Sequence, residues 1–284
     1  MQRFLALFGM VIYFSLATII QLSADEARDK KLKEELPENI GRVAYGDDGT
    51  QTYFIKNSSN PAKAIFLSMQ GSAGCLFSER GPITSEQDVI DNGGPSPRHP
   101  SIMIKGISAW TSNDIQVILP NCPDVSHDSS SAEYASAIDK IIQKENKKSL
   151  PVFVGGMSRG TIRATNIASR LKGKIAGVIL LSATTGNTHD GTTFDPPIDQ
   201  AVSPFLMIIH KDDSCDSSHD LSNLEEFSSD LKLVKDKNIV KVEGGSGSRS
   251  TRRHGRCGAR SHHGMNGIHH EIFEIMNKWI NERI

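Results

Sequence analysis

Short apolar runs punctuate the chain, separated by longer and mostly polar stretches. Residues 64–69, 115–119, 152–154, 177–181, 205–209 and 239–242 are rich in Val, Ile, Leu and Phe, and most show no alternation of apolar with polar positions. Such runs predict strands buried on both faces, as in a parallel sheet covered by helices. Between them lie segments of helical period. One opens at the capping box Ser130-x-x-Glu133 and sets Tyr134, Ile138, Ile141 and Ile142 on one face. A second follows the third run directly, with Ala164, Ile167, Ala168 and Leu171 in register. The last carries Ile268, Ile272, Ile275, Met276, Trp279 and Ile280 along one stripe. Nearer the start, residues 42–45 and 52–55 flank Gly46-Asp47-Asp48-Gly49, which predicts an antiparallel hairpin at the sheet edge. A hairpin followed by repeated strand–helix units gives an α/β sandwich with a mostly parallel sheet.

The first residues do not belong to that pattern. Arg3 precedes an apolar run over 4–20, broken only by Gly9, Ser15 and Thr18, and a polar, charged segment follows at once. This predicts an export signal over residues 1–24, a helix-prone leader over 25–40 and one domain over 41–284. Leu22-Ser23-Ala24 puts a large residue where a cleavage site prefers a small one, so an uncleaved membrane anchor is the alternative. Lys and Arg number 32 against 33 Asp and Glu, a net charge of −1, which excludes a whole-protein electrostatic grip on nucleic acid or an anionic membrane. Cys75, Cys122, Cys215 and Cys257 all follow the signal and form no Cys-x-x-Cys pair. An even set in an exported chain points to two disulfides rather than a zinc ribbon.

Candidate chemistry enters at Gly156-Met157-Ser158-Arg159-Gly160, between the third run and its helix. A serine lifted above a sheet on a tight strand-to-helix turn leaves room only for small residues two places before and after it. Its hydroxyl becomes a nucleophile only when a base takes its proton and donors receive the oxyanion. The N–H of Arg159, at a helix N-terminus, is one donor. The loop Gln70-Gly71-Ser72-Ala73-Gly74 supplies the second, from Ser72 or Ala73. An acid and a base are expected on loops after late strands. His210-Lys211-Asp212-Asp213 offers Asp213, with Asp212 as the alternative, and the loop before the last helix offers His263, with His262 beside it. His254 reads as a loop residue, and His269 and His270 as helix-surface residues.

Gly156-Met157-Ser158-Arg159-Gly160-Thr161, Gly177-Val178-Ile179-Leu180-Leu181-Ser182, His210-Lys211-Asp212-Asp213-Ser214-Cys215, and Cys257 with His262-His263-Gly264-Met265-Asn266-Gly267-Ile268 before a helix ending in Trp279-Ile280 resemble exported bacterial α/β-hydrolases of the serine-esterase type. The resemblance runs from about Ala64 to the end. It implies an α/β-hydrolase fold with helices on both faces of the sheet, a Ser158, Asp213, His263 triad, an acyl-enzyme and no cofactor. Met69-Gln70-Gly71 lacks the histidine of the HGGG esterases, which argues against that branch. The connection over 183–204 is short and polar, too small for a large lid, so a small or medium soluble ester is the expected substrate. Peptidase, thioesterase and lactonase chemistry on the same triad remain alternatives, as does a non-catalytic exported binding protein. Bringing acid and base together also draws Cys215 towards Cys257, which leaves Cys75 for Cys122.

Two further features compete. His270-Glu271-Ile272-Phe273-Glu274 is His-Glu-x-x-Glu, not the zinc-binding His-Glu-x-x-His, so no metal is expected. Arg249, Arg252, Arg253, Arg256 and Arg260 crowd a Gly/Ser-rich loop that suits an anionic substrate, a polysaccharide or nucleic acid; its simplest reading is a solvated loop. The expected partner is a small-molecule ester, with no nucleic acid and, after signal removal, no membrane.

Overall fold

The computed structural model describes residues 39–45, 49–71, 101–121, 129–186, 191–218, 220–247 and 253–284. The export signal, the leader up to residue 38, Ser72, Ala73, Cys75, Cys122, Arg249 and Arg252 lie outside these residues, as does the side chain of His254.

The apolar runs become the strands β1 (Ile40–Tyr45), β2 (Gly49–Lys56), β3 (Ala64–Met69), β4 (Ile115–Pro120), β5 (Val152–Met157), β6 (Gly177–Leu181), β7 (Phe205–His210) and β8 (Lys237–Val242). They form one sheet in the order β1-β2-β4-β3-β5-β6-β7-β8. The β1–β2 hairpin is antiparallel and sits at the edge, β2 pairs antiparallel with β4, and every later pairing is parallel. The chain runs outward from β3 to β4, then crosses back to β5 on the other side of β3. In open α/β sheets such a switch point opens a crevice at the carboxyl ends of the strands. Here the ends of β3 and β5 border it.

Seven helices are described: α1 (Ile102–Lys105), α2 (Ile107–Thr111), α3 (Ala132–Glu145), α4 (Gly160–Arg170), α5 (Leu221–Asp230), α6 (Arg253–Arg256) and α7 (His269–Asn281). Alternation along β3 shows how they are layered. Ile65, Leu67 and Met69 face a core shared with Tyr134 and Ile138 of α3, Ala164 and Ile167 of α4, and Leu224 and Phe227 of α5. Phe66 points the other way, its ring centroid 4.4 Å from that of Trp110 in α2. Trp110 in turn meets Phe273 of α7 at 5.8 Å, and Phe153 of β5 meets Trp279 of α7 at 6.1 Å. The strands are therefore apolar on both faces, which is why their sequences lack period two.

One cap differs from expectation by a residue. Ser131, not Ser130, caps α3: its extended backbone aims Oγ at the Tyr134 N–H, 3.1 Å away. The Ser130 carbonyl instead accepts from the Arg170 guanidinium at 3.3 Å.

Candidate active site

Ser158 follows β5 with φ 51°. This left-handed conformation costs a non-glycine residue about 1–2 kcal/mol, so surrounding bonds must hold it. Its N–H donates to the Leu181 carbonyl at 3.0 Å, and its carbonyl accepts from the Thr161 N–H at 2.8 Å. The flanking glycines have no room for a side chain. A methyl on Gly156 would lie 2.2 Å from the Gly160 oxygen, and one on Gly160 would lie 2.3 Å from the Met69 oxygen of β3. Close packing of β3, β5 and α4 thus requires glycine at both places. Arg159 is the N-cap of α4, with its backbone already helical.

At the end of the neighbouring strand, Ser182 is also left-handed, with φ 45°. Its N–H donates to the Ile208 carbonyl of β7 at 2.9 Å. Its hydroxyl donates to the His263 carbonyl, also at 2.9 Å. Leu181, which holds the Ser158 N–H, is therefore followed directly by the residue that anchors the backbone of His263.

Asp213 lies in the turn after β7, where its N–H donates to the His210 carbonyl at 3.0 Å. Its carboxylate accepts from the Cys215 N–H at 2.9 Å on Oδ1, and from the Ser218 hydroxyl at 2.9 Å on Oδ2. Oδ2 also lies 3.0 Å from His263 Nδ1, with both side chains fully buried. Burial alone would raise the Asp213 pKa. The hydrogen bond to His263, the His263 charge, the Cys215 N–H and the Ser218 hydroxyl outweigh it and hold the carboxyl below its ordinary value. Ser218 Oγ is in addition 2.8 Å from His263 Nδ1. On the far side of the ring, Nε2 is buried and takes no hydrogen bond among the described residues, from Ser158 or any other group. An imidazole with its proton on Nδ1 carries a lone pair on Nε2, the form a general base requires.

The near alternatives sit elsewhere. Asp212 is exposed, and its N–H donates to His210 Nδ1 at 3.0 Å. The His262 ring stacks on His210, centroids 4.3 Å apart, and its Nδ1 faces the Asp212 carbonyl at 3.2 Å. His210, Asp212 and His262 bring one ligand-type atom each within 4.8 Å of the others. The donors do not suit a cation, because both His210 nitrogens are engaged: Nδ1 accepts from Asp212, and Nε2 meets the Gly244 carbonyl at 2.9 Å. His270 is exposed, whereas His269 is half-buried rather than on the surface as expected.

A disulfide joins Cys215 to Cys257, tying the turn that carries Asp213 to the loop that carries His263, as expected from the sequence. Between β6 and β7 the described residues hold a short 3-10 helix, Ile198–Gln200, seated by buried Ile198 and Ala201. None of the helices described is long and apolar enough to cross a membrane. Sequence reasoning missed Ser182 and Ser218. Ser218 belongs to no motif, Ser182 belongs to one only as the end of Gly177-Val178-Ile179-Leu180-Leu181-Ser182, and each contacts a residue far away in the chain.

No protein-family model and no curated protein matches the sequence. Solved structures do. Est1E from Butyrivibrio proteoclasticus superposes with a TM-score of 0.55 at 11% identity, covering 87% of this chain and 99% of that one. A soluble variant of the monoglyceride lipase from Saccharomyces cerevisiae gives 0.54 at 13% identity, over 88% and 97%. A thermostable carboxyl esterase from Bacillus coagulans gives 0.52 at 12% identity, over 86% and 98%. Likeness at this identity carries the fold, and with the sheet order above it makes the architecture that of the α/β-hydrolases.

Proposed function

We propose that the chain is an exported serine carboxylesterase that cleaves small or medium soluble esters through Ser158, His263 and Asp213. The observation that carries this reading is the buried Asp213–His263 pair, 3.0 Å apart, held on loops that follow the carboxyl ends of the strands, the end at which left-handed Ser158 follows β5. Esterases and a lipase among the structural neighbours are in keeping with it.

The steps follow from the groups. Ser158 Oγ attacks the ester carbonyl carbon while His263 Nε2 takes its proton. The carbonyl oxygen becomes an oxyanion that receives the Arg159 N–H and a second N–H from Ser72 or Ala73. The tetrahedral adduct collapses, the alkoxide leaves with the proton from Nε2, and an acyl group stays on Ser158. Water, deprotonated by the same nitrogen, repeats the sequence and frees the acid. Asp213 holds the imidazole orientation and offsets the imidazolium charge without being protonated. The short connection between β6 and β7 supports an open site for soluble esters over a lipid surface.

A fluorophosphonate probe should label the wild type at Ser158 and leave Ser158→Ala unmodified. Turnover of p-nitrophenyl acetate should fall at least about a thousandfold in that variant. Labelling that persists in Ser158→Ala, or a wild type that neither labels nor turns over, would discard the reading in favour of a non-catalytic binder. Comparison of kcat/KM across ester, thioester, lactone and amide analogues ranks the remaining chemistries.

A further inference from the structure

We propose that His210 and His262 are positioning residues that hold the turn carrying Asp213 and the loop carrying His263 in register, by clasping the backbone of Asp212 between them. The role rests on Asp213 and His263 being the acid–base pair, as set out above. Backbone partners fix every proton in the clasp, because an amide N–H can only donate and a carbonyl can only accept. The Asp212 N–H therefore donates to an unprotonated His210 Nδ1 at 3.0 Å. The proton of that ring sits on Nε2, which donates to the Gly244 carbonyl at 2.9 Å. The Asp212 carbonyl in turn accepts from His262 Nδ1 at 3.2 Å. One residue thus has its N–H on one imidazole and its carbonyl on the other. The two rings lie flat on each other, centroids 4.3 Å apart and planes 6° from parallel, so neither can turn without pushing its neighbour. His210 is 2% exposed, and a methyl at Gly247 would lie 3.0 Å from His262 Cε1, so protein packs on both rings.

The clasp is one rung away from the acid–base pair. Asp212 meets His262 and Asp213 meets His263, and both pairs are 50 residues apart in the chain. A slip of either segment by one residue would break both contacts at once. Other ties leave that register open. The Cys215–Cys257 bridge still has residues 258–262 between it and His263. The Ser182 hydroxyl holds the His263 carbonyl to the end of β6, not to the turn after β7. Each doublet of the sequence therefore divides its work: Asp213 and His263 form the pair, and Asp212 and His262 align it.

Variants of His262 separate the hydrogen bond from the ring. His262→Phe keeps a flat ring and loses the donor, whereas His262→Asn loses the ring and keeps an N–H at the place of Nδ1. Kinetics on p-nitrophenyl acetate are read beside the proton NMR signal of His263 Nδ1–H, which His263→Asn identifies by its loss. Thermal melting and thiol titration establish that each variant is folded with its bridge intact. In His262→Phe the expected result is kcat lowered at least about tenfold with KM within about threefold, because small misplacements of reacting groups are costly, together with a shifted or broadened Nδ1–H signal. His262→Asn should return kcat to within about threefold of wild type. His210→Ala should lower kcat in the same way, and combining it with His262→Phe should cost little more than either alone, since both act through one backbone. Either a wild-type kcat or an unmoved Nδ1–H signal in folded His262→Phe overturns the proposal, and so do losses that multiply in the double variant. If buried His210 cannot be replaced without unfolding, half-buried His262 decides alone. A wild type without turnover would instead sink the esterase reading, and the Nδ1–H signal would still judge the clasp.

Discussion

Asp213 is a buried carboxylate kept charged by its neighbours, and that has a measurable sign. Its folded pKa is depressed below 3.8 because the donors around it outweigh burial. The stability it contributes is therefore present in full above the ordinary carboxylate value and is lost only as pH falls below it, through the depressed pKa. The difference in melting temperature between wild type and Asp213→Asn should not shrink on going from pH 8 down to about 4, and should shrink below that. A difference that already narrows near pH 6 would mean that burial wins and the carboxyl is raised. The places of Ser158 after β5, Asp213 after β7 and His263 before α7 were legible in the sequence because each sits in a motif next to a strand end or the last helix. The contacts of Ser218 and Ser182 were not. Their partners lie 45 and 81 residues away, and a lone serine carries no periodic signal that would announce such a contact.

The strands were legible as elements because burial on both faces writes continuous apolar runs into the sequence. Edges and caps were less so. β8 begins at Lys237, earlier than its apolar run, because an edge strand pairs on one side only and can admit polar residues. Ser130 and Ser131 are chemically identical candidates for a cap, and only the turn of the Ser130 carbonyl towards Arg170 separates them. The start of α7 carries another property that sequence alone hid. His269, expected on the surface, is half-buried. Burial first, then the charge of Lys105 at the end of α1, push its pKa below 6.5, against the opposing pull of the Gly264 carbonyl. The folded protein thus binds fewer protons there than the unfolded chain. Stability from this seat is full above 6.5 and declines as pH falls below it. The drop in urea midpoint between pH 7.5 and pH 5.5 should be smaller in His269→Gln than in wild type. Equal drops would place the effect elsewhere.

Across the whole molecule, Asp213 and His263 arrive from opposite ends of a long excursion that contains α5 and β8. The Cys215–Cys257 bridge spans 42 residues of it. Closing a loop of that size is worth roughly 4 kcal/mol in the chain-entropy account, which overestimates many engineered cases. Replacing both cysteines by serine should lower the melting temperature. It should also reduce kcat at a temperature where the variant is still folded, because His263 then depends on its hydrogen bonds alone for its distance from Ser158. Full kcat in the folded double variant would show the bridge to be a stabiliser only. The same bridge bears on proteolysis. Residues 243–247 are exposed and lie inside the covalent circuit that the disulfide closes. A protease that nicks the chain there cuts a peptide bond without releasing a fragment: two pieces run on a reducing gel and one on a non-reducing gel. In a compartment rich in proteases, the segment bearing Asp213 and the segment bearing His263 would still travel as one molecule after the cut.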